Sequence, residues 1–430
     1  MKKLITKMLQ QRAKKVLKKF DPQVIAITGS VGKTSAKQAI ITAILDDFTV
    51  RTGLKNYNNE IGVPLAILGE KSPGKSIFGW LGLLWRSYHI KTFPEILVLE
   101  FGIDHPGDMA VLCDIAEPSI AVVTGISPVH AEYFKDIDDL AREKGEIVTY
   151  VKDIGHVILN ADDERIRSMQ DRTIAPVIFY GSNSTNISFK NLQITTLRDE
   201  EFDPGEVFVR TQAEIYEGME MVGELDLTNL IGYAPAMAAL AGLAVAKALD
   251  LDLATVVNRL NNGMTPVSGR LRPIPGIKGT LVIDDSYNAA PAAMQNGLEI
   301  LRLFSPGEEK DRRIAVLGQM MELGSYSEDE HRMIGMKVAE VADLFIAVGE
   351  RMLPAVAAAK EAGMDPEHVE WFKNSEEAGR YLDLILQTGD VVYVKGSQSS
   401  RMEKVVKDIM AEPLRAQELL VRQDEGWLKE

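Results

Sequence analysis

Cysteine is almost missing from this 430-residue chain, where Cys113 stands alone. An intramolecular disulfide and a cysteine-based zinc cluster are therefore excluded, as expected for a reducing compartment, and cytoplasm is the default location. Long apolar runs are missing too. The most apolar patch, Ile77 to Trp85, is too short to cross a bilayer as a helix, which leaves a buried helix, a substrate-covering helix or a short anchor. Basic residues are in deficit, with 48 Lys and Arg against 62 Asp and Glu and a net charge of -14, which argues against a protein that coats nucleic acid. Internal repeats and low-complexity tracts are absent. What remains is a chain with 46% hydrophobic residues, long enough for two or three domains with their own cores.

The charge deficit reverses at the start. Met1 to Phe20 carries Lys2, Lys3, Lys7, Arg12, Lys14, Lys15, Lys18 and Lys19 and no acid. Leu4, Ile5, Met8, Leu9, Ala13, Val16, Leu17 and Phe20 recur among them at helical spacing, so residues 1–20 read as a basic amphipathic helix. No uninterrupted apolar segment or small-residue cleavage site marks it as a secretory signal. It reads either as a peripheral contact with an anionic membrane or as a helix capping the first domain.

From Val24 onward, short β-branched runs alternate with helical stretches, the pattern of parallel βαβ units. Strands are expected at Val24–Thr28, Ile96–Glu100, Ile120–Thr124, Val157–Asn160 and Val177–Tyr180. An antiparallel patch follows between about Asn186 and Leu227, then an Ala-rich helix near Pro235–Leu249. Thr265–Gly269 reads as a hinge, because Pro and Gly interrupt the pattern there. A second α/β unit has strands near Leu281–Asp284, Ile314–Leu317, Leu344–Val348 and Val391–Val394. The expected fold is thus α/β: a P-loop domain over residues 21–267 with a mostly parallel sheet plus an antiparallel patch, then a smaller Rossmann-like domain over 268–430.

Thr28-Gly29-Ser30-Val31-Gly32-Lys33-Thr34-Ser35 follows the first strand and opens a helix. Glycines there let backbone N–H groups approach phosphates, and the helix N-terminus adds positive potential. Lys33 would reach the β and γ phosphates and the Thr34 hydroxyl would ligate Mg2+. Ile27 stands where the strict pattern has Gly, which makes this a variant loop. Glu100 ends a hydrophobic strand, where parallel sheets place ligands, and would be a hard oxygen ligand for Mg2+; the plain alternative is a solvated loop glutamate. Asn58-Asn59-Glu60-Ile61-Gly62-Val63-Pro64 follows the first helix and strand, and His130 follows a further strand end.

Together these blocks resemble the Mur ligase family, most closely its MurF type, which adds D-alanyl-D-alanine to a UDP-N-acetylmuramoyl tripeptide. The resemblance runs from about Val24 to beyond Met402. It includes Lys144-Gly145-Glu146-Ile147, Leu159 to Asp163, Ser268-Gly269-Arg270, Asp284-Asp285-Ser286-Tyr287-Asn288, Val316 to Gly318, Lys395-Gly396-Ser397 and Arg401-Met402-Glu403. It implies an ATP- and Mg2+-dependent amide ligase that activates a carboxylate as an acyl phosphate and captures it with an amine. On that resemblance the loop Gly29 to Ser35 binds ATP, Thr34, Glu100 and His130 hold metal, and Lys33, Lys144 and His130 serve catalysis. Lys144 matches a position carbamylated in relatives; otherwise it is an ordinary surface lysine. Arg270, Asp285, Tyr287 and Asn288 are expected to meet the nucleotide as the second domain closes. Asn58 and Asn59, with Lys395, Ser397 and Arg401, are expected to receive substrate, a cationic site suiting the dipeptide carboxylate.

Several features depart from that pattern. The phosphate loop begins before residue 30, so the N-terminal domain that grips the uridine nucleotide is expected to be absent. The stretch Leu230 to Ala236 has neither the His nor the Asn common before the Ala-rich helix. Gly125, Ala290, Gln319 and Gln398 replace Asn, Asn, Asp and Arg. Two other readings therefore stand beside the first: an amide ligase for a different, lipid-linked acceptor, and an ATP-binding regulatory protein without catalysis.

Overall fold

The computed structural model describes residues 2–53, 57–74, 76–127, 133–196, 208–304, 312–321 and 323–428. Two compact units emerge. The first comprises Met1–Leu192, Gln212–Leu225 and Tyr233–Met264; the second comprises Gln193–Thr211, Asp226–Gly232 and Thr265–Glu430. The second unit thus begins its main segment within the expected hinge and also takes the ends of strands from the antiparallel patch.

The first sheet has nine strands: β1 (Gln23–Thr28), β2 (Val50–Thr52), β3 (Ile96–Glu100), β4 (Ile120–Val123), β5 (His156–Asn160), β6 (Val177–Tyr180), β7 (Ile187–Thr196), β8 (Val209–Glu217) and β9 (Glu220–Thr228). Their spatial order is β2-β3-β1-β4-β5-β6-β7-β8-β9, and every pair from β2 to β7 is parallel. β8 and β9 form the antiparallel patch, joined at Gly218–Met219. β1 reads as an apolar run because helices cover both its faces: Val24 and Ala26 join one core, and Ile25 and Ile27 are buried on the other side. The strands that follow β1 first fill one side of it, β2 and β3, and then cross to the other with β4, so the order switches side at β1 and the carboxyl ends of β3, β1 and β4 flank the switch. Open α/β sheets bind ligands at such a switch point.

Helices α1 (Lys2–Phe20), α2 (Lys33–Ile44), α3 (Gly62–Leu68), α4 (Ile77–Ser87), α5 (Asp108–Ile115) and α6 (Ile137–Lys144) surround this part of the sheet. Leu9, Ala13 and Val16 of α1 are fully buried at helical spacing, and Leu9 and Val16 pack with Leu65, Leu68 and Leu83. α1 therefore caps the first unit through its apolar stripe, while Lys7, Lys15, Lys18 and Lys19 stay exposed. The Ala-rich helix, α7 (Tyr233–Ala248), lies against α2 so closely that a Cβ on Gly242 would sit 3.0 Å from the Ala39 carbonyl oxygen. Among the described residues, no helix is long and apolar enough to cross a membrane.

The second unit carries a six-stranded sheet: β10 (Arg272–Pro275), β11 (Leu281–Asp285), β12 (Arg313–Gly318), β13 (Leu344–Val348), β14 (Val369–Phe372) and β15 (Val391–Lys395), in the order β10-β11-β15-β12-β13-β14. Only β10 runs antiparallel. Its two prolines suit an edge, where no ladder donor is required of them. Apolar clusters fill both faces of this sheet, one around Phe345 and Tyr393 and the other around Val392 and Val406.

Candidate active site

The loop between β1 and α2 is held from below by the end of β4. Thr124 Oγ1 donates to the Val31 carbonyl at 2.6 Å and lies 3.1 Å from that of Thr28, and Ser30 N donates to the Gly125 carbonyl at 2.6 Å. Gly29 sits at φ 146°, and a Cβ there would fall 2.1 Å from Thr124 Oγ1. Gly32, at φ 82°, turns the chain into α2. Both glycines are thus required by close approach and by a left-handed backbone. Asn160 extends the support, donating from Nδ2 to the Thr124 carbonyl at 2.7 Å, and Asp163 accepts from Ile126 N at 3.1 Å.

Lys33 folds back over this loop, with Nζ 2.6 Å from the Gly29 carbonyl oxygen. Thr34 Oγ1 lies 3.4 Å from Glu100 Oε2. Glu100 is only 5% exposed, so it is no solvated loop glutamate. Its Oε1 has no aligned hydrogen bond, but Lys37 Nζ faces it at 2.8 Å as an ion-pair partner. The Ser30 hydroxyl is also buried without a hydrogen-bond partner. The Thr34 hydroxyl and the Glu100 carboxylate side by side are hard-oxygen donors of the kind Mg2+ takes together with phosphate and water. Among the described residues no group of three or more His, Cys, Asp or Glu side chains is placed to hold a metal by itself. His130 lies outside the described residues.

A cavity of about 100 Å³ adjoins the loop, lined by Gly29, Ser30, Lys33, Asn58, Asn59, Gly102, Ile103, Asp104 and Lys144. Asn58 is clamped against Gly102, whose N–H donates to the Asn58 carbonyl at 2.8 Å; a Cβ on Gly102 would approach Asn58 Nδ2 to 2.7 Å. Asn59 Oδ1 accepts from Ile61 N and Gly62 N, fixing the start of α3. Lys144, the last residue of α6, is 2% exposed, which sets aside the surface-lysine alternative. Burial, reinforced by the charge of Lys33, brings its pKa down to about 7, against the opposing pull of Asp104 and Glu143. Glu143 accepts from the N–H groups of Gly107 and Met109, tying the end of α6 to the start of α5. Six expected site residues from three separate stretches of the sequence, Gly29, Ser30 and Lys33, Asn58 and Asn59, and Lys144, thus line one cavity. Lys37, which pairs with Glu100, is not singled out from the sequence; Thr124, Asn160 and Asp163 lie in stretches noted there without a role, and the structure gives them the support of the loop.

The second unit gathers its own expected residues. Lys395 Nζ donates to Asp285 Oδ2 at 2.5 Å inside the fold, and the Tyr393 hydroxyl donates to the same oxygen at 3.2 Å. The adjacent Asp284 is fully buried. It accepts from Gly269 N and Ser286 N, and burial pushes its carboxyl up to about 6. The exposed Arg270 stacks 4.5 Å over the Tyr287 ring, and the Asn288 side chain turns back to Ala289 N. Arg401 donates to Glu403 at 2.6 Å and to the Trp427 carbonyl at 3.1 Å. Ser397 lies within reach of the hydroxyls of Ser399 and Ser400. Lys395 and Arg401, expected to meet a substrate carboxylate, therefore each hold an internal carboxylate.

A P-loop turn at a sheet switch point, with the Thr34 hydroxyl and the buried Glu100 carboxylate beside it and the buried Lys144 across the cavity, defines a protein of the P-loop class, built to hold nucleotide phosphates. Comparison narrows the class: residues 27–240 match the Mur ligase middle domain and residues 269–398 match the Mur ligase glutamate ligase domain. The chain belongs to the Mur ligase family. It is 26% identical over 410 residues to the UDP-N-acetylmuramoyl-tripeptide–D-alanyl-D-alanine ligase of Bacillus subtilis, spanning 94% of this chain and 80% of that one. Identity to the Escherichia coli enzyme of the same name is 28% over 397 residues, 90% of this chain and 76% of that one. The crystal structure of MurF ligase from Thermotoga maritima in complex with ADP shares the fold, with a TM-score of 0.75 at 24% identity over 94% of this chain and 83% of that one.

Proposed function

We propose that this chain is an ATP-dependent, ADP-forming amide ligase of peptidoglycan precursor synthesis, joining D-alanyl-D-alanine to UDP-N-acetylmuramoyl tripeptide. A carboxylate is a poor electrophile, so the tripeptide carboxylate first attacks the γ-phosphorus of ATP. The bond from that phosphorus to the bridging oxygen breaks, ADP leaves and an acyl phosphate remains. The dipeptide amine then attacks the acyl carbon, gives up a proton to solvent and expels inorganic phosphate.

In this reading the loop from Gly29 to Ser35 cradles the triphosphate with its N–H groups, and Lys33 swings from the Gly29 carbonyl onto the transferring phosphoryl group. Thr34 and Glu100 would hold Mg2+, with His130 assigned to a second ion; the metal offsets charge on the phosphates. Lys144, whose lowered pKa leaves much of it as the free amine at neutral pH, is suited to carbamylation, which turns a repelling ammonium into an oxygen ligand. Asn58 and Asn59 are assigned to substrate. Within residues 268–430, Arg270, Asp285, Tyr287 and Asn288 are assigned to the nucleotide, and Lys395, Ser397 and Arg401 to the dipeptide. We assign the protein to the cytoplasm, in peripheral contact with membrane through residues 1–20, where Lys7, Lys15, Lys18 and Lys19 are exposed.

The observation that carries the reading is the cavity where Lys33, Lys144, Asn58 and Asn59 meet the phosphate loop. Mass spectrometry of a reaction containing ATP, D-alanyl-D-alanine and UDP-N-acetylmuramoyl tripeptide tests it: the pentapeptide product is expected. Product only from another acid and amine pair would replace the substrate assignment, and none from any pair would remove the ligase reading.

A further inference from the structure

Helix α4 is buried along one side only. Leu83, Leu84 and Ser87 face inward, while Ile77, Phe78, Leu81 and Trp85, with Tyr88 just beyond the helix, face solvent. At 100° per residue these five fall within one continuous sector of about 100°. Phe78 is 86% exposed, Trp85 66% and Leu81 55%, an unusual concentration of bare aromatic and aliphatic surface.

The basic helix is fastened directly beside this stripe. Arg12 of α1 donates to the Ser87 hydroxyl at 3.1 Å and to the Ser87 carbonyl at 2.5 Å, and its guanidinium stacks 4.1 Å over the Tyr88 ring. Lys19 reaches the Ile90 carbonyl. Met8 and Lys15, on the same side of α1 as Arg12 and Lys19, are exposed. No Asp or Glu occurs between Met1 and Phe20 or between Lys71 and Pro94, so all 62 acidic residues lie outside these two segments. In a chain of net charge -14, the apolar stripe is bordered on its α1 side by the exposed Lys15 and Lys19, while Glu70 pairs with Arg86 of α4 and Asp114 with Lys14 of α1.

We propose that α4 is a membrane-docking element that lies flat in the interface of an anionic bilayer, its stripe from Ile77 to Tyr88 entering the headgroup–acyl boundary while the exposed lysines of α1 hold the headgroups. This deepens the peripheral contact assigned to residues 1–20 and gives it an inserting half. Eleven residues are too short to span, but an amphipathic helix with aromatic residues on one side and lysines alongside suits the interface. Trp85 and Tyr88 are residue types that settle at the headgroup level. A single basic helix binds membranes weakly; a second, apolar contact makes the attachment stable. A second copy of the chain is a poorer occupant, because a two-fold pairing through this face would bring two lysine-rich α1 helices together.

The test is sedimentation of the full chain with phosphatidylglycerol-containing vesicles and with pure phosphatidylcholine vesicles, using the wild type, a Phe78→Ser/Leu81→Ser/Trp85→Ser variant and a Lys15→Glu/Lys18→Glu/Lys19→Glu variant. The wild type is expected to prefer the anionic vesicles, and each variant to lose binding by about tenfold or more. Brominated phosphatidylglycerol should quench the wild type, and Trp85→Phe should remove that quenching. Unchanged binding by the α4 variant, with loss in the lysine variant, would overturn the insertion while leaving the peripheral contact standing. No binding by the wild type would overturn both, as would a concentration-dependent dimer that the α4 variant dissolves without any vesicle binding. ADP formation from soluble substrates by the α4 variant should match the wild type, showing that the fold is retained.

Discussion

Lys37 Nζ stands 2.8 Å from Glu100 Oε1, both side chains largely withdrawn from solvent beside the phosphate loop. The lysine, one turn into α2, neutralises a carboxylate that would otherwise be buried with only Thr34 for company. Breaking a buried pair from one side leaves an uncompensated charge. Lys37→Met should therefore lower stability by about 3 kcal/mol in denaturant unfolding. Adding Mg2+ with ADP should recover a larger share of that loss than ADP alone.

Gly29 is expected to tolerate no side chain. Its φ of 146° and the nearness of Thr124 Oγ1 mean that Gly29→Ala must displace the loop from its support. Backbone strain of this kind costs on the order of 1–3 kcal/mol, which, if relieved by displacing the loop, corresponds to roughly a 5- to 150-fold loss of ATP affinity. Calorimetric titration with ATP measures it, and circular dichroism should show the fold unchanged.

Lys144 gives a dependence on pH. Its folded pKa of about 7 lies below the ordinary 10.5, so between these values the unfolded chain holds a proton that the folded protein has released. Stability from this group therefore rises as pH increases from 7 toward 10, and the full cost of its burial applies below 7. Lys144→Met should flatten that rise in unfolding curves recorded between about pH 7 and 9.

Glu403 is buried between two arginines, with Arg401 Nε at 2.6 Å and Arg422 Nη1 at 3.1 Å. Arg422 also donates to the carbonyls of Ser286 and Tyr287, so Glu403 positions the loop that carries Tyr287 and Asn288. Glu403→Ala should destabilise the second unit by about 3 kcal/mol. The unfolding transition of the full chain is expected to broaden or split as that unit melts first.

The sequence reveals the strands best where burial is complete. Ile96–Glu100 and Leu344–Val348 form as expected because every residue in them is buried. Val50–Thr52 and Val369–Phe372 escape notice: they are short, partly exposed edge strands with little periodic signal, and β10 hides behind Pro273 and Pro275. The site follows the same logic. Loop residues Gly29 to Ser35 announce themselves through local spacing. The roles of Thr124 and Asn160 depend on which strands become neighbours. The pairing of Asp285 with Lys395 likewise follows from the parallel register of β11 with β15, which sets these residues side by side although 110 positions separate them.

The account turns on Lys33 and the loop around it. The direct measurement is the ratio of ADP released to amide formed when ATP, D-alanyl-D-alanine and UDP-N-acetylmuramoyl tripeptide are supplied together, for the wild type and for Lys33→Ala. The expected result is one ADP per new amide bond in the wild type and a rate lower by a factor on the order of 100–1000 in a folded Lys33→Ala protein. ADP released without amide, or an undiminished rate in the variant, would contradict it.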